Sequence, residues 1–272
     1  MPRVQFIELH EQSWFPTFLR NDVTDTLQCG LNLSRAYASI VPLLQQAITL
    51  TGSRSIVDLC SGGGGPWLDL ARKLKEEIGG GLHISLTDKY PNAAAFENAQ
   101  TRSGMPISFC KDSIDARNVP AELDGFRTMF TSFHHFAPDE ARAIIQNTVD
   151  ARQGIGIFEI TRRAPSAIVL IILWSLMPFF FTPFVRPFHW SRLLCTYIVP
   201  IIPFVLLFDG IVSCLRTYRP DELRELVGQL RGTQYQWQAG EFRDSYLRLP
   251  ITYLIGFPQL PVSRAESGFR TA

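Results

Sequence analysis

The residues best suited to chemistry begin in segment 55–66, where an acid and four consecutive glycines follow an apolar run. The run ends at Asp58, the glycines occupy positions 62–65, and an amphipathic pattern covers 67–74. This order predicts a strand, a tight turn and a helix. Glycine lets a ligand approach the backbone, and a helix start offers unpaired N–H groups to an anion. The segment therefore predicts a site for an anionic group, with a plain flexible loop as the alternative.

Polar residues also follow the later strand patterns, and helical patterns lie between those strands. In chain order, the later apolar runs lead to Asp88, Asp112, Ser132 and Glu159. Strands that alternate with helices predict an α/β fold with a doubly wound, mostly parallel sheet. Ligands of such sheets bind at the carboxyl ends of the strands, so we expect these side chains to face one crevice. The runs 235–241 and 251–257 predict an antiparallel closing pair.

This order of parts resembles the class I S-adenosylmethionine (SAM)-dependent methyltransferases over residues 30–160 and 219–258. In that family the first strand ends in an acid within a pattern close to D-x-G-x-G-x-G. Asp58, Gly62 and Gly64 match it, and Cys60 stands in place of the first glycine. The resemblance implies a Rossmann-like seven-stranded sheet, SAM as the cofactor and methyl transfer as the activity.

The resemblance also assigns cofactor contacts. Gly62 and Gly64 would let the backbone approach the amino-acid end of SAM, and Asp88 would accept hydrogen bonds from both ribose hydroxyls. Asp112 would receive the adenine amino group. The full set implied is Asp58, Cys60, Gly62, Gly64, Asp88, Asp112, Ser113 (an adenine contact), and Thr131 and Ser132 (near the methionine part). A dinucleotide-binding oxidoreductase is the rival, but the glycines fit G-x-G-x-x-G poorly.

His134 and His135 come just past the fourth strand, within reach of the methyl group in this fold, and are the candidate catalytic residues. Imidazole titrates near neutral pH and can remove a proton from a hydroxyl or amine. The alternative is that one ring packs and the other orders the loop. Methyl transfer depends mainly on alignment, so a base is not obligatory. Glu159 would line the acceptor pocket or pair with a nearby arginine.

Two apolar segments, 168–185 and 193–208, contain no charged residue. Eighteen residues of helix span roughly 27 Å, near the thickness of the hydrocarbon core. Prolines interrupt both segments and arginines lie between them, which favours a re-entrant hairpin over a transmembrane pair. Buried core or an oligomer interface is the alternative. Five arginines are candidates to meet lipid headgroups: Arg162, Arg163, Arg186, Arg192 and Arg216.

The composition and the net charge argue against several other classes of protein. The net charge of +1 gives no reason to expect nucleic acid. Five scattered cysteines, without C-x-x-C, argue against a disulfide framework or a zinc site, and no metal is expected. The N-terminus lacks the apolar core of a secretory signal. We therefore expect a cytoplasmic catalytic domain associated with the membrane.

The predicted organisation has four parts. Residues 1–52 form an N-terminal helical cap, which is either a lid or a packing helix on the sheet. Residues 53–161 and 217–260 form the SAM-binding domain, residues 162–216 the membrane-associating hairpin, and residues 261–272 a tail. The predicted function is methyl transfer to a small lipophilic acceptor, with lipid contact through 168–208 and a homo-oligomer left open. The alternative is a non-catalytic SAM-binding or scaffold protein.

Overall fold

A computed structural model describes residues 1–78, 81–232, 234–243 and 250–259. A seven-stranded sheet with the order β3-β2-β1-β4-β5-β7-β6 organises the chain. Its strands are β1 (Ser55–Asp58), β2 (His83–Leu86), β3 (Ile107–Phe109), β4 (Phe126–Phe130), β5 (Ile155–Glu159), β6 (Tyr235–Arg243) and β7 (Pro250–Pro258). The first five are parallel, and β7 pairs antiparallel with both β5 and β6. The predicted sheet and closing pair are confirmed. The predicted tail, 261–272, lies outside the described residues.

Ten α-helices are described around this sheet. They are α1 (Thr17–Leu33), α2 (Val41–Thr51), α3 (Trp67–Ile78), α4 (Ala93–Arg102), α5 (Pro138–Asp150), α6 (Pro165–Trp174), α7 (Pro178–Phe181), α8 (Trp190–Leu193), α9 (Ile201–Arg216) and α10 (Pro220–Gly228). The prediction of a helical cap over residues 1–52 is wrong for residues 1–16, which form no helix. Polar groups in that segment bind distant parts of the chain instead, as Leu9 N–H does at the Asp209 carboxylate.

The two faces of the sheet are buried under different helices. Successive strand residues point to opposite faces, so Ile56 packs with α2, α3 and α4, whereas Val57 packs with α5 and α10. Neither side chain is more than 1% exposed. This arrangement leaves the carboxyl ends of the parallel strands as the open edge of the domain.

A third apolar cluster lies beyond that edge and joins the N-terminal segment to α9, which belongs to the apolar insertion between β5 and α10. Phe15, Leu19 and Val23 pack against Ile202, Val205 and Leu206 of α9. On α9, a Cβ built on Gly210 would come within 2.7 Å of the Ile171 side chain, so α6 and α9 pack closely. Helices α1, α6 and α9 together form a cap, whereas α2 packs on the sheet.

The glycine turn packs directly against α1. A Cβ built on Gly63 would lie 2.6 Å from the main-chain oxygen of Thr24, which cannot rotate away. The second glycine of the turn is therefore needed for helix packing, apart from any ligand. Cys60 has a positive φ of 57°, and Gly62 has 55°.

We expect Gly63→Ala to lower the free energy of unfolding by about 1–3 kcal/mol, because the methyl group must push α1 off the turn. Urea denaturation measures the change. Gly228→Ala is the matched control. Gly228 lies at the end of α10, and no atom lies within 4 Å of the place that a Cβ would take there. We expect this surface substitution to change the free energy of unfolding by no more than about 0.5 kcal/mol. Equal midpoints for the two variants would show that α1 does not pack on the turn.

The insertion between β5 and α10 is apolar and largely uncovered. By length and composition, Pro165–Phe184 is a helical stretch that could cross a bilayer, and it is only 17% buried. The helices over Trp190–Ile198 and Ile201–Arg216 meet the same test only as a pair, and they bend by 78° at their junction. Core helices of soluble proteins pass this test too, but they are mostly buried.

The expectation that five arginines meet lipid headgroups is wrong for three of them. Arg192 is buried and contacts Asp25 and Asp22 of α1. Arg163 is buried against Glu222, and Arg216 is buried against Glu11. The carboxylate partners of these arginines are distant in the sequence, so the sequence did not indicate these pairs. In the fold, carboxylates from other elements pair with them. Arg186 is exposed and Arg162 is half-buried.

Candidate active site

One cavity of about 660 Å³ lies between the carboxyl edge of the sheet and the cap. The glycine turn, the ends of β2 and β4, and helices α1, α6 and α9 all contribute to its wall. Of the N-terminal region, α1 therefore lies over the cavity, where the lid interpretation would have it, and its role as a lid stays a prediction. The insertion lines the same cavity through Ile171, Trp174, Val205 and Leu206, which form an apolar wall.

Asp88 holds the glycine turn at one end of the cavity. Its Oδ2 accepts a hydrogen bond from the Gly62 N–H and its Oδ1 accepts one from the Tyr90 N–H, both at 2.7 Å. Burial raises the pKa of this carboxyl above its usual value. Asp88 and Gly62 both line the cavity, so the strand-end acid and the turn predicted from the sequence lie in direct contact.

Asp58, at the end of β1, holds the start of the turn through hydrogen bonds. Its Oδ1 accepts a hydrogen bond from the Thr128 hydroxyl at 2.6 Å, and its Oδ2 accepts one from Ser61 at 2.7 Å. Burial raises the pKa of Asp58 to about 6. Both oxygens are thus engaged by the chain, and Asp58 shapes the turn. Cys60 lines the cavity, whereas Gly64 does not: a Cβ there would meet Gln28 and Ala99.

The loop after β3 lines the cavity with residues that come just after the two predicted adenine contacts. Asp112 and Ser113 are exposed and lie outside the cavity wall, which Ile114, Asp115 and Ala116 line instead. The Ile114 N–H donates to the main-chain oxygen of Asp88 at 2.9 Å, which draws this part of the loop to the turn. The sequence has two acids in this loop, Asp112 and Asp115. Only Asp115 is followed by an apolar residue, Ala116, which is buried, and this is the sequence signal that distinguishes the two acids.

The residues after β4 reach the middle of the cavity. Thr131 and Ser132 both line it. Thr131 has a positive φ of 45° and its hydroxyl contacts that of Tyr37. The buried Ser132 hydroxyl has no hydrogen-bond partner among the described residues. Ser132 therefore offers a free polar group to a ligand in the cavity.

His134 is fixed by Glu159. Its Nδ1 lies 2.7 Å from Glu159 Oε2, while Glu159 Oε1 accepts the main-chain N–H groups of Phe133 and His134. The expected pairing of Glu159 with an arginine is therefore wrong. Because an ionised carboxylate only accepts hydrogen bonds, His134 carries its proton on Nδ1. Its Nε2 then faces the Glu8 carboxylate at 3.5 Å.

His135 lies between two carboxylates. Its Nδ1 is 2.6 Å from Glu8 Oε2 and 2.6 Å from Glu11 Oε1. Burial lowers the pKa of His135, but the two carboxylates outweigh burial and raise that pKa well above its usual value. The two carboxylates therefore favour the imidazolium form of His135, which cannot accept a proton from an acceptor molecule.

Other charged residues complete what we call the histidine–carboxylate cluster. Arg216 Nη1 binds Glu11 Oε2 at 2.7 Å, and Asp209 Oδ2 binds His10 Nδ1 at 2.7 Å. The cluster consists of Glu8, His10, Glu11, His134, His135, Glu159, Asp209 and Arg216. The sequence pattern indicated only its two adjacent histidines and Glu159, since the remaining members are more than 70 residues away from those histidines along the chain.

No protein-family model and no curated protein matches the sequence. Among solved structures, human N-acetylserotonin methyltransferase in complex with SAM aligns over 94% of this chain at 14% identity, with a TM-score of 0.53. The chain shares the fold of that methyltransferase. An O-methyltransferase family protein from Burkholderia thailandensis aligns over 87% of this chain at 16% identity, with a TM-score of 0.45. The chain spans only 61% and 59% of the lengths of these two proteins.

A third solved structure is described as an enzyme of a different reaction class. A Rhodobacter sphaeroides protein described as a putative Zn-dependent alcohol dehydrogenase aligns over 89% of this chain and 98% of its own, at 13% identity and a TM-score of 0.50. At such identities the likeness shows the fold alone. The antiparallel β7 between β5 and β6 departs from the 3-2-1-4-5-6 order of dinucleotide-binding sheets.

Proposed function

We propose that this chain is a SAM-dependent methyltransferase that acts on a small lipophilic acceptor. The observation that carries the proposal is the joining of two sites in one cavity. A glycine turn held by Asp88 lies at one end, and the histidine–carboxylate cluster lies past β4. The first suits a nucleoside with vicinal hydroxyls, and the second suits a polar acceptor atom.

In this arrangement SAM would contact the turn, Asp88 and the loop that contains Asp115 and Ala116. Its methionine part would extend toward Thr131 and Ser132. SAM supplies an electrophilic methyl group. The acceptor atom would take this methyl group, S-adenosylhomocysteine would leave, and His134, whose proton is on Nδ1, would receive the acceptor proton at Nε2. The protein's contribution is mainly the alignment of the two reactants.

The cap supports a lipophilic acceptor. Helices α6 and α9 contribute apolar side chains to the cavity wall and apolar side chains to the outer surface. Of the 24 large apolar residues exposed among the described residues, 17 lie between Val169 and Phe208. Exposed apolar patches of this kind mark protein or membrane contacts. We propose that this surface docks on a bilayer, so that an acceptor dissolved in lipid can enter beneath the cap.

The test combines a binding measurement and a transfer assay. We expect calorimetric titration to show one SAM site at which S-adenosylhomocysteine competes, and labelled methyl groups to enter the lipid extract of membranes incubated with the protein. SAM binding without transfer to any membrane fraction would favour the scaffold alternative. No binding of either nucleoside would contradict both the enzyme and the scaffold proposals.

A further inference from the structure

Three atoms of the kind that bind transition metals converge beside the cavity. A Glu8 oxygen, a His134 nitrogen and a His135 nitrogen all lie within 4.8 Å of one another. Glu8 is fully buried. Its Oε2 and the His135 Nδ1 are close in space, yet among the described residues neither atom has a partner with hydrogen-bond geometry. Buried polar atoms are rarely left this way.

The charge balance of the cluster also calls for a cation. Its carboxylates come from Glu8, Glu11, Glu159 and Asp209, and its permanent cation is Arg216 alone. All these groups are buried except Glu11, whose side chain is 24% exposed. Carboxylates removed from water need compensating charge or bind metals. The missing positive charge is supplied either by protons on the imidazoles or by a metal ion.

The hydrogen bond to Glu159 prepares His134 as a ligand. With the proton on Nδ1, its Nε2 is left without a proton and lies 3.5 Å from Glu8 Oε1, which also accepts a hydrogen bond from the Ser213 hydroxyl at 2.9 Å. Two electron-rich atoms that face each other at this distance suit a metal ion between them. A carboxylate behind a histidine is also the usual support of a metal-bound imidazole.

We infer that Glu8, His134 and His135 bind one divalent transition-metal ion, with Glu11 as the fourth ligand. Two imidazoles and two carboxylates suit Zn²⁺, and also Co²⁺ or Mn²⁺. Glu11 can join because Arg216 occupies its Oε2 and leaves Oε1 directed at His135. This site departs from the sequence expectation of no metal, which was based on the cysteines.

The site opens toward the ligand cavity, because His134, His135 and Glu11 all line it. An ion there would bind the acceptor atom as a fifth ligand or in place of Glu11, and would make its proton easier to lose. The two histidines would then hold the ion and would not themselves act as bases. This role in catalysis rests on the proposed function, whereas the binding of the ion does not.

The test is metal binding by the full chain after chelator treatment. We expect one Zn²⁺ per chain by elemental analysis and calorimetry, and an X-ray absorption spectrum with imidazole scattering and no sulfur ligand. Glu8→Gln and His135→Gln each should weaken Zn²⁺ at least ~100-fold, and Glu159→Gln should weaken it about 10- to 100-fold. His83→Gln is the matched control, since this exposed histidine begins β2 at the opposite edge of the sheet.

The outcomes separate this inference from the proposed function. Absence of stoichiometric Zn²⁺ or Co²⁺, or equal affinity in Glu8→Gln and the unaltered protein, overturns the metal site and shows that protons alone balance the cluster. The absorption spectrum of the unaltered protein decides the matter if the variants fail to fold. SAM titration of the same samples tests the proposed function independently, because Asp88 and the glycine turn lie outside the metal ligands.

Discussion

Asp88→Asn should weaken SAM binding about 10- to 100-fold while leaving the fold intact. The carboxylate is the one acid at the end of β2, and it supports Gly62 and Tyr90 through both oxygens. Asparagine keeps the shape but has only one accepting oxygen. A hydrogen bond to a charged group contributes about 1.5–3 kcal/mol, and each ~1.4 kcal/mol is tenfold in affinity. Isothermal titration with SAM measures the loss.

The fold should survive because burial already raises the pKa of Asp88, which means that the ionised side chain is costly to hold there. Thermal denaturation checks this point. Asp112→Asn is the matched control: the same chemical change in an exposed residue outside the cavity should leave SAM affinity unaltered. If Asp112→Asn weakens SAM as much as Asp88→Asn does, the cofactor does not lie where the cavity places it.

The sheet and the glycine turn were predictable because their signals are local. Apolar runs that end in an acid or a polar residue mark the strands, and four glycines mark the turn that Asp88 holds. The loop after β3 shows the limit of this reasoning. Asp112 and Asp115 both follow β3, and the burial of Ala116 together with the hydrogen bond from Ile114 to Asp88 brings the second acid to the cavity.

The histidine–carboxylate cluster could not be predicted from spacing. Glu8 and Glu11 belong to an N-terminal segment without helix, and Arg216 ends α9, yet they meet at His135. Long-range pairing of charges has no periodicity in the sequence. The same reason explains the buried Arg192: the acids that neutralise it lie on α1, 167 and 170 residues earlier.

Phe180→Ser together with Phe184→Ser should release the protein from lipid vesicles, with a loss of at least about 100-fold in partition. These side chains are 72% and 73% exposed near the end of the first apolar helix. Burial of a large apolar side chain contributes about 1.5–3 kcal/mol, so two of them account for a factor of this size. Flotation with vesicles measures it, and Leu50→Ser, at the end of α2, is the control.

The lipid dependence of this binding follows from the buried arginines. Arg163, Arg192 and Arg216 are paired with acids inside the protein, so they are not available to headgroups. We therefore expect vesicles with and without anionic lipid to bind the protein to a similar extent, and added salt to have little effect. Strong dependence on anionic lipid would show that headgroups bind Arg186 and Arg162, or that the cap opens on the membrane and frees the three buried arginines. A different outcome is that the protein does not bind vesicles and elutes as a dimer, and that the Phe180→Ser, Phe184→Ser double variant elutes as a monomer. This result would show that the apolar surface joins two copies of the chain.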